Sequence, residues 1–371
     1  MMLHWMFRNG SKAHSAWVDL PGLVLLKNGA KLLGACLSFY FLMSVSVAQA
    51  KGCSPPQTVS SVYGANPVVT YLIMAIAPEK LAGWNFPPPE QARGIFPESS
   101  FDKPVIGGWF GQGRTPNLEV LIQTQPDLMV LSGATVAIEQ QQVLEKLGVP
   151  VCHLTLDRLG DYPLAFQRLG RWLGEPERGQ RLADDFRSRL AQLQQAKNTL
   201  SKVTDFKTVY YAESNSGLAT ECRGSIHSEV LPWAGAVNPH LCPNHAAKER
   251  RYGRVAISFE TLLKHNPDVV VTQEIGFYEQ VYQNPRWRLL PAVKNENVLF
   301  VPQVPFRWMD RPPSFMRVLA AQWLMAQLYP QQVDWQMLDQ TKAFLQLYFD
   351  YDASQLQLKQ ILNGAIVDER R

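Results

Sequence analysis

The sequence predicts an α/β protein of two lobes, each with a central parallel sheet, joined by a single long α-helix. Three observations carry this. Short β-like runs alternate with single helical runs, and neighbouring strands then run parallel because each return needs a crossover. The stretch NLEVLIQTQPDLMVL (Asn117 to Leu131) is echoed 141 residues later by SFETLLKHNPDVVVT (Ser258 to Thr272), as a duplicated unit would be. Between the copies, EPERGQRLADDFRSRLAQLQQAKNTLSKV (Glu175 to Val203) places Leu182, Phe186, Leu190, Leu193, Leu200 and Val203 mostly three or four apart. That is one apolar stripe on a helix, and 29 residues at 1.5 Å each reach roughly 43 Å.

The elements follow in order. TVSSVY reads as a strand and Asn66 to Ala77 as a helix with Pro67 in its first turn. KLAGW reads as a second strand, LEVLIQTQ as a helix ended by Pro126, and DLMVLSG as a strand stopped by Gly133. AIEQQQVLEKLG is a further helix and VPVCHLTL the strand after it. Beyond the long helix the pattern restarts with strand KTVYYAE, helices HSEVLPWAG and SFETLLKHN, and strands DVVVTQ and NVLFVPQ. SFMRVLAAQWLMAQLY is a helix that Ser314 can cap. The C-terminal stretch holds two short helices, the second capped by Asp352 or Ser354, and is expected to pack on the second lobe. In each copy of the repeat, Asn117 or Ser258 is a cap and Glu119 or Glu260 lies in the first turn, where negative charge suits the helix dipole.

A chain of 371 residues exceeds one ordinary core. A charged fraction of 18% and net charge of +4, without a basic run, argue against a nucleic-acid partner. Lys27 and Lys31, the apolar run LLGACLSFYFLMSVSV and the Ala48-Gln49-Ala50 ending read as a secretory signal. Retention as a membrane anchor, or lipid attachment at Cys36 or Cys53, are the alternatives. The expected partition is residues 1–50 signal, 51–173 first lobe, 174–204 connecting helix, and 205–371 second lobe with the C-terminal helices. Cys53, Cys152, Cys222 and Cys242 remain in the exported chain, an even number compatible with a disulfide. Cys152 reads as a buried thiol in a strand. The HLCPNH cluster leaves three readings open: a Cys222–Cys242 bridge, a metal site drawing on His240 and His245, or neither.

Two α/β lobes, one long helix and a Glu-x6-Pro-Asp-apolar unit in each lobe resemble the class III substrate-binding proteins of ABC importers. VIGGWFGQGRTPNLEVLIQTQPDLMVLSG, GRVAISFETLLKHNPDVVV and NPRWRLLPAVKNENVLFVPQ carry the resemblance. It implies Rossmann-like lobes with a ligand cleft between them, a periplasmic location, and a monomer that hands its ligand to a permease dimer driven by a cytoplasmic ATPase. It also implies that Glu119 and Glu260 dock on that permease. The ligand class would be a ferric siderophore, cobalamin, haem, or nickel or cobalt chelate. No catalytic role and no resident cofactor are implied. The alternative is an exported enzyme or a sensor domain acting on a metal chelate; G-x-S-x-G, H-E-x-x-H, C-x-x-C and G-x-G-x-x-G are absent.

Ligand contacts in such a fold come from loops at the C-terminal ends of strands. Those loops offer Tyr63, Trp84, Trp109, Phe110, Arg114, Arg223, Arg251, Tyr252, Arg254, Phe277, Tyr278, Arg307, Trp308 and Arg311. Aromatic faces suit a bulky ligand and guanidinium forks suit its carboxylates. A convergent His and carboxylate set for a bare metal ion is not expected from these loops.

Overall fold

A computed structural model describes residues 53–109, 114–133, 146–242 and 253–364. The expected signal segment, most of helix AIEQQQVLEKLG, and Phe110, His245, Arg251 and Tyr252 lie outside the described residues.

In the first half, β1 (Val62–Gly64), β2 (Leu128–Ser132) and β3 (Val151–Leu154) form a parallel sheet in that order. Every residue of β1 and β2 is buried, which is why both read as unbroken apolar runs rather than alternating ones. Helix α1 (Pro67–Ile76) starts directly beyond β1, where Asn66 accepts the Val69 amide and Pro67 fills a position that needs no N–H. The expected KLAGW strand shrinks to two isolated bridges, Leu81 with Val62 and Trp84 with Val105, because Pro78–Lys80 wind into a 3-10 turn instead.

Helix α2 is Leu118–Thr124, α3 is Tyr162–Trp172, and the connecting helix α4 runs Pro176–Leu200. Its 25 residues reach about 37 Å, shorter than the sequence suggests because Pro176 opens it and Ser201 begins a turn. Leu182, Phe186, Leu193 and Leu200 bury the expected stripe; Val203 lies past the helix end and is exposed. Helices α3 and α4 approach at two glycines. A Cβ on Gly179 would sit 2.6 Å from the Phe166 carbonyl oxygen, and one on Gly170 2.8 Å from the Gly179 Cα.

The second half repeats the plan. Strand β4 (Val209–Ala212) is followed by the short antiparallel pair β5 (Ala219–Thr220) and β6 (Val255–Ala256), with α5 (Val230–Trp233) between them. Then come α6 (Phe259–His265), β7 (Val269–Thr272), α7 (Ile275–Val281), α8 (Pro291–Lys294) and β8 (Val298–Phe300). The parallel sheet runs β4-β7-β8.

The duplicated sequence now has a physical role. In both copies a seven-residue helix starts at its side-chain cap and ends on a left-handed residue, Gln125 (φ 43°) or Asn266 (φ 39°). The Asp after the Pro then clips the neighbouring strand. Asp127 accepts the amides of Ser60 and Ser61 at 2.7 and 2.9 Å, just before β1. Asp268 accepts the amide and hydroxyl of Thr208, both at 2.7 Å, just before β4. Each Pro-Asp therefore fixes the register at the start of a parallel pair.

Helices α9 (Arg317–Leu328), α10 (Met337–Phe349) and α11 (Gln355–Leu362) close the chain. Ser354 caps α11 in a reciprocal box with Gln357, while Asp352 pairs with Lys342 instead. Ser314 does not cap α9: the helix begins three residues later, and the Ser314 hydroxyl accepts the Met316 amide. Helix α10 reaches well beyond the second half. Tyr348 donates to the Leu182 carbonyl at 3.3 Å, and its neighbour Phe349 lies 5.6 Å from Phe96 of the first half. One buried apolar cluster accordingly runs from Val62 and Leu72 through Phe186 to Val209, Trp308 and Tyr348. Such a continuous core limits hinge motion between the halves.

Cys152 is not a free thiol. It is bridged to Cys53, 99 residues earlier, which ties the start of the described chain to β3. Cys222 and Cys242 form a second disulfide. Among the described residues, no helix is long and apolar enough to cross a membrane.

Candidate functional site

The C-terminal ends of the strands carry polar networks in both halves. Beyond β1 and β2, Asn66 donates to the Ser132 hydroxyl at 2.9 Å, and Asn85 donates to the carbonyls of Gly64 and Gly107 at 2.8 and 2.7 Å. The Tyr63 hydroxyl donates to Gly107 at 3.0 Å, and Trp109 lies edge-on to Tyr63 with centroids 6.5 Å apart. Both rings are buried, and burial pushes the Tyr63 phenol far above its ordinary range. Trp84 is a core residue whose indole donates to Ser100 at 2.6 Å. Arg114 is exposed, with its guanidinium 5.5 Å from the Phe86 ring centroid.

In the second half, Glu213 follows β4, Gln273 and Glu274 follow β7, and the segment 301–316 follows β8. Gln273 clamps that segment, accepting the amides of Met309 and Asp310 at 3.2 Å and donating to the Asp310 carbonyl at 3.1 Å. The segment splits into two kinds of residue. Phe306, Trp308, Met309 and Phe315 are buried. Trp308 donates to Val304 at 2.8 Å, and Phe306 stacks on Tyr71 of α1 at 3.7 Å with 8° between the planes. Trp308 is thus buried in the core shared by the halves, where the sequence offered it as a ligand contact. Arg307 and Arg311 are among the part-exposed members.

Around Arg311 lies a cluster that the sequence did not disclose. Its guanidinium donates to Glu213 at 2.7 Å and Glu221 at 2.8 Å, and stands 3.6 Å from Asp310. His227 Nδ1 and Asp310 Oδ1 are 2.5 Å apart. Ser225 donates to Glu221 at 3.0 Å, and Arg254 reaches Glu213 at 3.0 Å from a more exposed position. Glu213, Glu221 and Asp310 are wholly buried. Burial pushes the Glu221 carboxyl up to about 7, against the pull of the His227 charge. Burial disfavours the His227 imidazolium, but the adjacent Asp310 outweighs it and raises the imidazole above its usual range. Burial likewise opposes the Arg311 charge, and Glu213 and Asp310 more than offset it.

Outside the loops YGANP, GWFGQGR and QEIGFYEQ, Glu221, His227 and Asp310 each offer a ligand atom, all within 4.8 Å of one another. Moreover, the arginines on this wall are already engaged. Arg307 pairs with Glu274 at 3.3 Å, so Arg254, Arg307 and Arg311 face Glu213, Glu221, Glu274 and Asp310. Among the described residues of this wall, the carboxylates offset the arginines.

The remaining candidates scatter. Arg223 is exposed and donates to Asn238 at 2.7 Å; Tyr278 is half-buried with its ring 5.1 Å from that of Phe300. His240 Nδ1 meets His265 Nε2 at 3.3 Å beside the Cys222–Cys242 bridge, and burial lowers both imidazoles. Glu119 and Glu260 are exposed in the first turns of α2 and α6, and Arg286 lies 4.0 Å from Glu260. Backbone and Ser258 hydrogen bonds hold the Glu260 carboxyl below its ordinary value. A cavity of about 430 Å³ is lined by Met74, Ile76, Phe96, Glu175, Arg178 and Phe349, at the far end of α1 from these strand ends. It lies away from the polar networks.

A family model described as a periplasmic binding protein matches residues 109–305. The solved structure of an ABC transporter solute binding protein from Sulfurospirillum deleyianum is 32% identical, with a TM-score of 0.76 over 83% of this chain and 95% of that one. A vitamin B12-binding protein of Vibrio parahaemolyticus is 29% identical over 195 residues, which is 53% of this chain and 66% of that protein, just under two thirds of its length. A periplasmic haem-binding protein from Pseudomonas aeruginosa shares the fold at 20% identity and a TM-score of 0.56, over 74% of this chain and 94% of that one. With two such halves, a single connecting helix and these matches, the chain belongs to the periplasmic binding protein family.

Proposed function

We propose that the chain is the substrate-binding component of an ABC importer, capturing an organic metal chelate between its two halves in the periplasm and delivering it to a permease dimer powered by an ATPase. The observation that carries this is the paired construction. Two parallel sheets aim their strand C-termini at rigid polar loops, and one helix and one shared core hold the halves together. That is a binding scaffold with fixed walls, and relatives whose names specify vitamin B12 and haem supply the chelate class. Because Arg254, Arg307 and Arg311 are already matched by carboxylates, a chelate of low net charge suits the second-half wall better than a polyanion. Arg114, Arg251, Tyr252 and Tyr278 are the proposed contacts, with the buried Trp109 as a proposed contact only through its edge, and Glu119 and Glu260 are the proposed docking pair.

Tryptophan-fluorescence titration with cyanocobalamin, haemin and a nickel–histidine complex tests the reading. Saturable one-to-one quenching by one chelate, at micromolar concentration or tighter and without chemical change, supports it. Conversion of a chelate into a new product would move the protein to the enzyme class.

A further inference from the structure

The geometry points to a site for a single divalent transition-metal ion inside the second half, held by Glu221, His227 and Asp310. These residues arrive from three places. Glu221 follows β5, His227 sits in the 3-10 turn before α5, and Asp310 lies in the segment after β8 that Gln273 clamps. One donor atom from each falls within 4.8 Å of the others, so a modest side-chain adjustment brings all three to the roughly 2.0–2.2 Å of a single ion.

A second observation is independent of that spacing. Asp310 Oδ2 and Glu213 Oε2 belong to fully buried residues and accept no hydrogen bond. A buried carboxylate oxygen without a donor is costly, and Asp310 Oδ2, which belongs to the cluster, is a position that a cation would satisfy. Arg311 takes Glu213 and Glu221, while Asp310 Oδ2 has only the 3.6 Å approach of the same guanidinium. Three buried carboxylates thus share one close guanidinium, with Arg254 reaching Glu213 from a side chain 40% exposed. A dication beside Asp310 would take the place of the His227 proton in neutralising a cluster whose other close cation is Arg311.

The donor types select the metal. One imidazole with carboxylates favours zinc, nickel or cobalt, and the small number of oxygens disfavours calcium. The ion itself is the ligand, so the site operates whether or not the cleft carries a chelate.

The test uses the full chain stripped with a chelator and titrated calorimetrically with zinc, nickel and calcium chlorides in the absence of any organic ligand. One equivalent of zinc or nickel should bind at micromolar concentration or tighter, with calcium at least a hundredfold weaker. His227→Gln and Glu221→Gln should each weaken binding at least tenfold while circular dichroism stays unchanged, and His265→Gln should have no effect. Should either glutamine variant fail to fold, X-ray absorption on the wild-type zinc complex decides: one imidazole nitrogen with carboxylate oxygens supports the site, and two imidazoles overturn it. Absence of stoichiometric binding by the wild type overturns it as well. So does binding that survives His227→Gln and vanishes in His265→Gln, which would place the ion at the His240–His265 pair. Loss of chelate binding with ion binding intact would count against the importer reading alone, and the reverse result against this site alone.

Discussion

Arg311→Met removes the one guanidinium that two wholly buried carboxylates share. Glu213 keeps Arg254, but Glu221 keeps only the Ser225 hydroxyl. Breaking a buried pair by deleting one partner costs up to about 3–5 kcal/mol while the other charge stays desolvated, and less as Glu221 takes up a proton. In a chain of this size each kcal/mol moves the melting temperature by about 2 °C, so Tm should fall by up to roughly 6–10 °C. Arg307→Met is the matched control. Its partner Glu274 is nearer the surface, and rim pairs contribute at most about 1 kcal/mol. Glu221→Gln in the Arg311→Met background should restore part of the loss, a coupling of at least about 1 kcal/mol. Thermal melts followed by circular dichroism at neutral pH read these proteins and the Glu221→Gln single variant that completes the cycle. An Arg311→Met protein melting within about 2 °C of wild type, or an Arg307→Met protein falling as far, would refute the assignment of the buried cluster.

Gly179→Ala should destabilise by roughly 1–3 kcal/mol in urea melts, because its Cβ would meet the Phe166 carbonyl oxygen at 2.6 Å where α3 and α4 touch. Replacing Cys53 and Cys152 together should cost more than replacing Cys222 and Cys242. The loop closures of 99 and 20 residues are worth about 4.7 and about 3.3 kcal/mol by chain entropy, and equilibrium unfolding compares them. Asp127→Asn and Asp268→Asn each weaken the clip to a neighbouring strand, and should lower stability by about 1–2 kcal/mol with little change in chelate titration. Glu119→Ala with Glu260→Ala should leave chelate binding within twofold of wild type and abolish uptake; full uptake by that double variant would remove the docking role.

The architecture was legible because it rests on periodic signals. Buried parallel strands such as Leu128–Ser132 read as apolar runs, the stripe through Leu182 and Phe186 read as one helix, and the caps at Asn117 and Ser258 read directly. The Pro-Asp repeat was visible, yet its strand-clipping role was not, since Ser60 and Thr208 lie more than 50 residues from their partners. The site was legible only in part. Residue type and loop position marked Trp84 and Trp308 as ligand contacts, but tertiary packing makes them core. The Glu213, Glu221, His227 and Asp310 cluster forms from segments almost 100 residues apart, and nothing in local spacing announces it. The one available hint was that Asp310 adjoins Arg311. Cys53–Cys152 escaped for the same reason: the pair is close only after β3 is in place.

Native mass spectrometry of the protein purified from its source organism tests the central claim most directly. A one-to-one complex is predicted, with added mass that carries the isotope pattern of a metal and the mass of an organic chelator. Protein that stays free of any organic ligand, even after saturating exposure to cobalamin, haem and siderophore chelates, would contradict capture of a metal chelate between the two halves.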